Sequence, residues 1–200
     1  MSDLRRRIAE NLARFERRTL EIEGRRQAAV AIVLAPTDAG LSYALTRRAL
    51  HMRRGAGNYA LPGGNFEPGE DAVAAALRET SEELGIALEP DAVLGLLDDF
   101  LTLGGHVVTP VVVWSHVSLT LVPNPEEVHE AWFARVEDLD HPEAPRMEPH
   151  PEGGPDILRM FAGRDWLNPP TAAWLYQFRE VALHGRTARI DQVGMPAWTA

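Results

Sequence analysis

Residues 28–35 read AAVAIVLA, eight positions without one polar side chain, closed by Pro36. A run this short and this apolar fits a buried strand. After the turn residues TDAG, the segment SYALTRR (42–48) reads as its hairpin partner. A strand with no polar face needs cover on both sides, so the rest of the chain must supply layers.

Three segments carry helical signals. Leu4, Ile8, Leu12 and Phe15 recur at helical spacing within 3–18. A second helix is expected from Asp71 as cap to about Leu84, with Gly85 as its stop. A third is expected over TAAWLYQFREVAL, with Asn168 as cap and Pro169 and Pro170 in its first turn. Further strands are expected in VLGLLDDFLTL and HVVTPVVVWSHVSL, joined at Gly104-Gly105, and in AWFARV (131–136), which an acidic turn follows. Pro110 should lie near an edge or a bulge. The Gly- and Pro-rich segment 49–70 reads as an extended loop, and 140–156, with five prolines and two glycines, as a surface loop or linker. The mixture predicts an α/β (α+β) fold, a mixed sheet sandwiched between helices. The division expected is a helical arm over 1–24, one domain over 25–185 and a tail over 186–200.

Composition removes several chemistries. Cysteine is absent and all 20 basic residues are arginine, so thiol nucleophiles, zinc-thiolate sites and Schiff-base lysines are excluded. No run approaches the roughly 18 apolar residues of a membrane helix. The basic N-terminus lacks the apolar core of a secretory signal, and a cytoplasmic location is expected. A net charge of −9 disfavours a nucleic-acid surface, and the arginines of the first helix read as a solvated face. The charge is uneven, however. LTRRALHMRRGAG (45–57) holds four arginines and no acid, which suits a small anionic ligand.

The acids gather next to it. In LPGGNFEPGEDAVAAALRETSEELGI (61–86), Glu79, Glu82 and Glu83 recur at helical spacing, and Val73, Leu77, Thr80 and Leu84 fall roughly opposite. Carboxylates converging on one point suit a hard cation, Mg²⁺ or Mn²⁺. Arg78, four residues before Glu82, can hold a carboxylate, and Gly63-Gly64 allows close backbone approach. Taken alone, the three glutamates also fit a solvated acidic helix.

The full spacing is Gly64, five residues, Glu70, seven residues, then Arg78-Glu79-Thr80-Ser81-Glu82-Glu83-Leu84-Gly85-Ile86. It resembles the box of the Nudix hydrolase family, GX₅EX₇REUXEEXGU, with Thr80 the one departure from an aliphatic position. The resemblance implies the Nudix fold and hydrolysis of a nucleoside diphosphate linked to another group. It implies Glu79, Glu82 and Glu83 as holders of Mg²⁺ or Mn²⁺, and Glu70 and Arg78 as groups that orient loop and helix. The general base is expected on Glu79 or a nearby glutamate.

LTRRALHMRRGAGNYALPGG resembles the stretch beside the box in coenzyme A diphosphatases, through Thr46, Arg48, Ala49, Arg53, Gly57, Pro62, Gly63 and Gly64. Ala44 and Leu61 depart from it. LTLGGHVVTPVVV and PNPEEV (123–128) are similar to downstream segments of that subfamily, with Gly104 replacing a serine. This implies coenzyme A or acyl-coenzyme A as substrate, with Arg48, Arg53, Gly63 and Gly64 binding it. ADP-ribose or a dinucleotide is the alternative, and a non-catalytic binding module a more distant one. Of five tryptophans, Trp166 or Trp174 is the candidate for an adenine pocket. His51 and His106 read as loop residues, not ligands. The partner expected is a small nucleotide substrate, with neither nucleic acid nor membrane and with room for a homodimer.

Overall fold

A computed structural model describes residues 2–197. Helix α1 (Ser2–Arg14) is shorter than its periodicity predicts, and residues 16–22 run on without helix or strand. Strand β1 (Arg26–Thr37) continues through Pro36, which pairs with Leu41 of β2 (Gly40–Arg48). Short strands β3 (Tyr59–Ala60) and β4 (Gly63–Asn65) follow, then α2 (Ala72–Leu84). Beyond them lie β5 (Val93–Leu96), β6 (Phe100–Leu101), β7 (His106–Trp114) and β8 (Val128–Arg135). The acidic stretch Val136–Asp140 is a 3₁₀ helix. Strands β9 (Arg146–Glu148), β10 (Ile157–Phe161) and β11 (Trp166–Leu167) come next, then α3 (Thr171–Gln177), which runs into a π-helix over Phe178–Leu183.

The main sheet is mixed. β1 pairs parallel with β7 along its length. Its other edge takes β4 at Ala28–Val30 and β2 at Leu34–Thr37, both antiparallel. β2 carries β8 and β3, and β7 carries β5 and β6. The apolar run of β1 alternates between two cores. Ala28, Val30, Ile32 and Leu34 join the one filled by α1, α3 and the π-helix, through Ile8, Leu12, Leu175 and Phe178. Ala29, Ala31 and Val33 join the other, filled by Ala75, Ala76, Leu77 and Leu84 of α2. The expected sandwich of helices about a mixed sheet is what forms.

Four local expectations need correction. The 49–70 loop contains β3 and β4, whose two- and three-residue lengths are below what a residue pattern reveals. The proline-rich 140–156 segment contains β9, which pairs with β10 in a second, three-stranded sheet. Pro110 lies in central β7 opposite Val30. Its carbonyl accepts from Leu97 N–H at 3.0 Å, so its missing donor faces the break between β6 and β5 and costs no ladder bond. Asn168 does not cap α3. Pro170 is the cap residue, and no side chain accepts there.

That break between β5 and β6 has a structural use. Asp98 is 3% exposed. Arg189 Nη1 reaches both its oxygens at 2.9 Å, Gln177 Nε2 donates at 2.8 Å and Arg18 N–H at 2.7 Å. Asp99 accepts from Arg17, from the Thr109 hydroxyl at 2.6 Å and from Leu20 N–H at 3.0 Å. Thus the two neighbouring aspartates tie residues 17–20 and 189 to the sheet. The first helix buries Ile8 and Leu12, and Ala188 and Ile190 are buried as well, so both flanking segments pack against the central body.

Candidate active site

Helix α2 begins where Asp71 accepts from Ala74 N–H at 2.9 Å, and it ends at Gly85, whose left-handed φ of 66° favours glycine. Its buried stripe is Ala76, Leu77, Thr80, Glu83 and Leu84, one face of a 3.6-residue period. The expectation that the three glutamates share the solvent side therefore fails at Glu83, which turns inward and is 4% exposed. Glu79 lies at the edge of the stripe with its side chain 13% exposed, and Glu82 lies beyond it at 50%.

Two glycines make room for these acids. Gly63 N–H donates to Glu83 Oε2 at 3.3 Å. A Cβ on Gly63 would fall 2.2 Å from the Ala29 carbonyl oxygen. A Cβ on Gly64 would fall 2.3 Å from Glu79 Oε1. Any larger residue at either position would displace β1 or the Glu79 carboxylate.

Arg78 locks the helix to the loop before it. Its Nε and Nη2 donate to the two Glu70 oxygens at 2.8 and 3.1 Å, and Nη2 also to the Asn65 carbonyl at 2.9 Å. Nη1 reaches Glu79 Oε1 at 3.0 Å and Glu82 Oε2 at 2.8 Å. Arg78 thus joins α2 to Glu70 and to the backbone at Asn65, and the bond from Arg78 holds the Glu70 carboxyl below its ordinary pKa.

The carboxylates that converge are Glu79, Glu83 and Glu127, with one oxygen of each within 4.8 Å of the others. Glu82 is not in this group; it stays exposed against Arg78. Glu127 had not been singled out, although it stands in PNPEEV. Its placement is backbone work. Val122 N–H donates to Leu84 O at 2.8 Å and Asn124 N–H to Glu83 O at 2.9 Å, so the segment is hooked to the end of α2. Val128 N–H then closes back on Asn124 O at 2.8 Å.

Burial pushes the Glu83 carboxyl up to about 8, with Glu79 and Glu127 adding to the rise and Gly63 N–H and Arg48 opposing it. Burial also raises Glu79, against the pull of Arg78. Like charges held this close in a half-dry site favour either protons or a cation. Three converging carboxylates, of which only Glu79 shares an arginine, are the oxygen-donor set that Mg²⁺ or Mn²⁺ prefers. The residues present fit such an ion.

Beside this group a cavity of about 520 Å³ opens, with Gly63 and Gly64 in its wall. Arg48 and Arg54 line it on the side of the β2–β3 loop, and His106 and Thr102 at the start of β7. The opposite wall is Arg159, Asp165, Trp166, Asn168 and Trp174. Both tryptophans chosen from the sequence thus face one cavity. Arg53 is exposed and is not among the lining residues; its neighbour Arg54 takes that place. His51 is exposed in the loop, whereas His106 begins a strand and lines the cavity.

Comparison with known proteins places this geometry. The model of the NUDIX domain matches residues 24–153. Nudix hydrolase 3 of Caenorhabditis elegans is 34% identical over 114 residues, 55% of this chain and 48% of that protein. An uncharacterized Nudix hydrolase, NudL, of Photorhabdus laumondii is 42% identical over 85 residues, 42% of this chain and 46% of that protein. The chain thus spans about half the length of the curated relatives it matches. Among solved structures, the Nudix hydrolase RenU of M. smegmatis superposes with a TM-score of 0.54 at 22% identity, over 82% of this chain and 90% of that one. No described helix is long and apolar enough to cross a membrane.

Proposed function

Because the chain belongs to the NUDIX domain family, we propose that it is a metal-dependent hydrolase that opens the diphosphate of a nucleoside diphosphate derivative, coenzyme A or acyl-coenzyme A in the first place. The observation that carries this is the group Glu79, Glu83 and Glu127, of which only Glu79 is in an ion pair among the described residues, beside a cavity lined by Arg48 and Arg54.

Glu79, Glu83 and Glu127 would hold Mg²⁺ or Mn²⁺, with Glu82 assisting through Arg78. A divalent ion bound there supplies charge neutralisation of the diphosphate and a water of lowered pKa. Arg48 and Arg54 present planar donors to phosphate oxygens, and neither is in an ion pair among the described residues. Gly63 and Gly64 let the backbone approach both the acids and the substrate. We place the general base on the acid group, Glu79 first. Arg53, exposed one residue before Arg54, is left for a charge outside the cavity, such as a 3′-phosphate. The products would be adenosine 3′,5′-bisphosphate and (acyl-)4′-phosphopantetheine.

The substrate rests on the likeness of residues 44–64 to coenzyme A diphosphatases, and ADP-ribose or a dinucleotide is the second reading. A panel of diphosphates with Mg²⁺ and with Mn²⁺, products identified by mass, tests both levels. A charge-assisted contact to the 3′-phosphate contributes about 1.5–3 kcal/mol, so coenzyme A should exceed 3′-dephospho-coenzyme A by roughly 10- to 150-fold in kcat/KM. Faster turnover of ADP-ribose would reject coenzyme A and keep the hydrolase. No turnover of any diphosphate would reject the hydrolase.

A further inference from the structure

Two buried polar atoms at the cavity wall have neither a hydrogen bond nor an ion pair; Arg159 Nε, also without a hydrogen bond, lies 2.9 Å from Glu148 Oε2. Trp174 is 4% exposed, and its Nε1 has no hydrogen-bond partner. Asn168 Oδ1 is also buried without one. Both residues line the cavity. An indole N–H can only donate, and a carboxamide oxygen only accepts. Leaving such groups buried and unpaired is costly, so a partner arriving from the cavity would complete them. Tyr43 Oη and Trp132 Nε1 are unpaired too, but neither residue lines the cavity.

We propose that Trp174 and Asn168 bind the nucleobase of the substrate, Trp174 Nε1 donating to a ring nitrogen and Asn168 Oδ1 accepting from an exocyclic amine, as an adenine provides. The proposal rests on this cavity being the substrate site and names the part of the substrate that fills it.

The surroundings favour a flat heteroaromatic group over a flexible amide chain. Tyr59, Trp166 and Trp174 all line the cavity, and aromatic faces hold bases by stacking. These rings are themselves held. Trp174 packs edge-on against Phe100 at 6.1 Å between centroids, and Trp166 is braced by His141 at 5.6 Å and Phe161 at 5.5 Å. The Tyr59 hydroxyl donates to Asp165 Oδ2 at 3.2 Å, which joins the loop of Arg48 and Arg54 to the segment of the two tryptophans. The placement also suits the order of groups in a nucleoside diphosphate: base against the 159–174 wall, phosphates against the arginines and Gly63-Gly64.

Trp174 and Asn168 lie outside residues 24–153, the part matched by the family model. The base contact is thereby assigned to residues beyond the part that the family model matches.

The test uses AMP, ribose 5-phosphate and 4′-phosphopantetheine with the full-length, metal-free protein. None of the three holds a diphosphate, so the result does not depend on turnover, and a failed diphosphate panel leaves it intact. Indole N–H resonances are followed by NMR, with that of Trp174 assigned from its loss in Trp174→Phe. AMP should move the Trp174 signal downfield, and ribose 5-phosphate should not. Trp174→Phe keeps a ring and deletes the donor, so AMP should bind about fivefold more weakly, with ribose 5-phosphate unchanged. Asn168→Ala, farther from the core, should act alike and serves if Trp174→Phe is unstable. Tyr43→Phe deletes an unpaired buried O–H away from the cavity and should have no effect. A shift with 4′-phosphopantetheine but not AMP would overturn the base assignment. Equal weakening of AMP and ribose 5-phosphate, an unmoved Trp174 signal, or the same loss in Tyr43→Phe would overturn it as well.

Discussion

Glu83 and Asp98 are buried to nearly the same degree, 4% and 3% exposed, yet their surroundings are opposite. Asp98 is satisfied by the protein, through Arg189, Gln177 and the Arg18 N–H. Glu83 receives one backbone N–H at 3.3 Å and faces two further carboxylates. A buried charge is tolerated when its partner is built in. Where the partner is left out and more charge of the same sign is brought near, the site stays high in energy until something from solution completes it. The first arrangement holds the fold together; the second keeps a place ready for chemistry.

The same neutralisation at each site separates the two roles. Asp98→Asn leaves Arg189 without its carboxylate and points an amide N–H₂ at groups that are donors. It should cost about 3 kcal/mol, a fall in Tm of roughly 6–12 °C for a chain of this size, with the activity of the folded fraction largely kept. An unchanged Tm would remove the contrast.

Glu83→Gln should show the reverse. The metal-free protein at pH 8 should be as stable as the parent or more so, because an unpaired buried charge is gone. Turnover of the best diphosphate at saturating Mg²⁺ should fall at least about 10²-fold, near 2.7 kcal/mol. Near-normal turnover would place Glu83 with Asp98 as a structural acid.

The smallest effect is in pH. Glu83 is raised from its ordinary value of 4.5 to about 8, so the folded chain keeps a proton that the unfolded chain has lost. The metal-free protein should therefore lose stability as pH rises from about 4.5 to about 8, by about 2 kcal/mol after allowing for relaxation around the site, and level off above. Mg²⁺ should displace up to about one proton at pH 7 and almost none at pH 9. Calorimetry in buffers of different ionisation enthalpy measures this. Release that persists unchanged in Glu83→Gln would show that the proton belongs elsewhere.

Much of this was legible in the residues. The apolar run at 28–35, the cap at Asp71 and the stop at Gly85 are local signals, and each gave the element expected. The inward turn of Glu83 was readable in retrospect, since positions 76, 77, 80, 83 and 84 make one helical stripe. Its acidic side chain reads as solvent-facing by type, while its place in the period is buried. Glu127 and Arg54 were hidden for a different reason. Glu127 is placed by hydrogen bonds between segments distant in sequence, such as Asn124 to Glu83, and Arg54 by the closed turns of its loop, such as Gly57 N–H to Arg48 O; no spacing within one element reports either. β9, β3 and β4 were missed because two or three residues carry no period. Asn168 reads as a helix cap by type and position, but α3 starts two residues later, with Pro170 as the cap residue.

The ligands of Asp98 also bear on how the chain is made. Its partners lie 80 residues upstream at Arg18 and 91 downstream at Arg189. During synthesis the segments that build α2 and its carboxylate cluster emerge long before Arg189 does, at the roughly 5–20 residues per second of translation. Throughout that interval Asp98 has no guanidinium to receive it, and Gln177 is also still to come. The sheet can assemble around β1 while the break between β5 and β6 stays open. The latch at Asp98 therefore cannot close before residue 189 is made, and a ribosome that stalls earlier would hold a nascent chain whose aspartate still lacks its guanidinium.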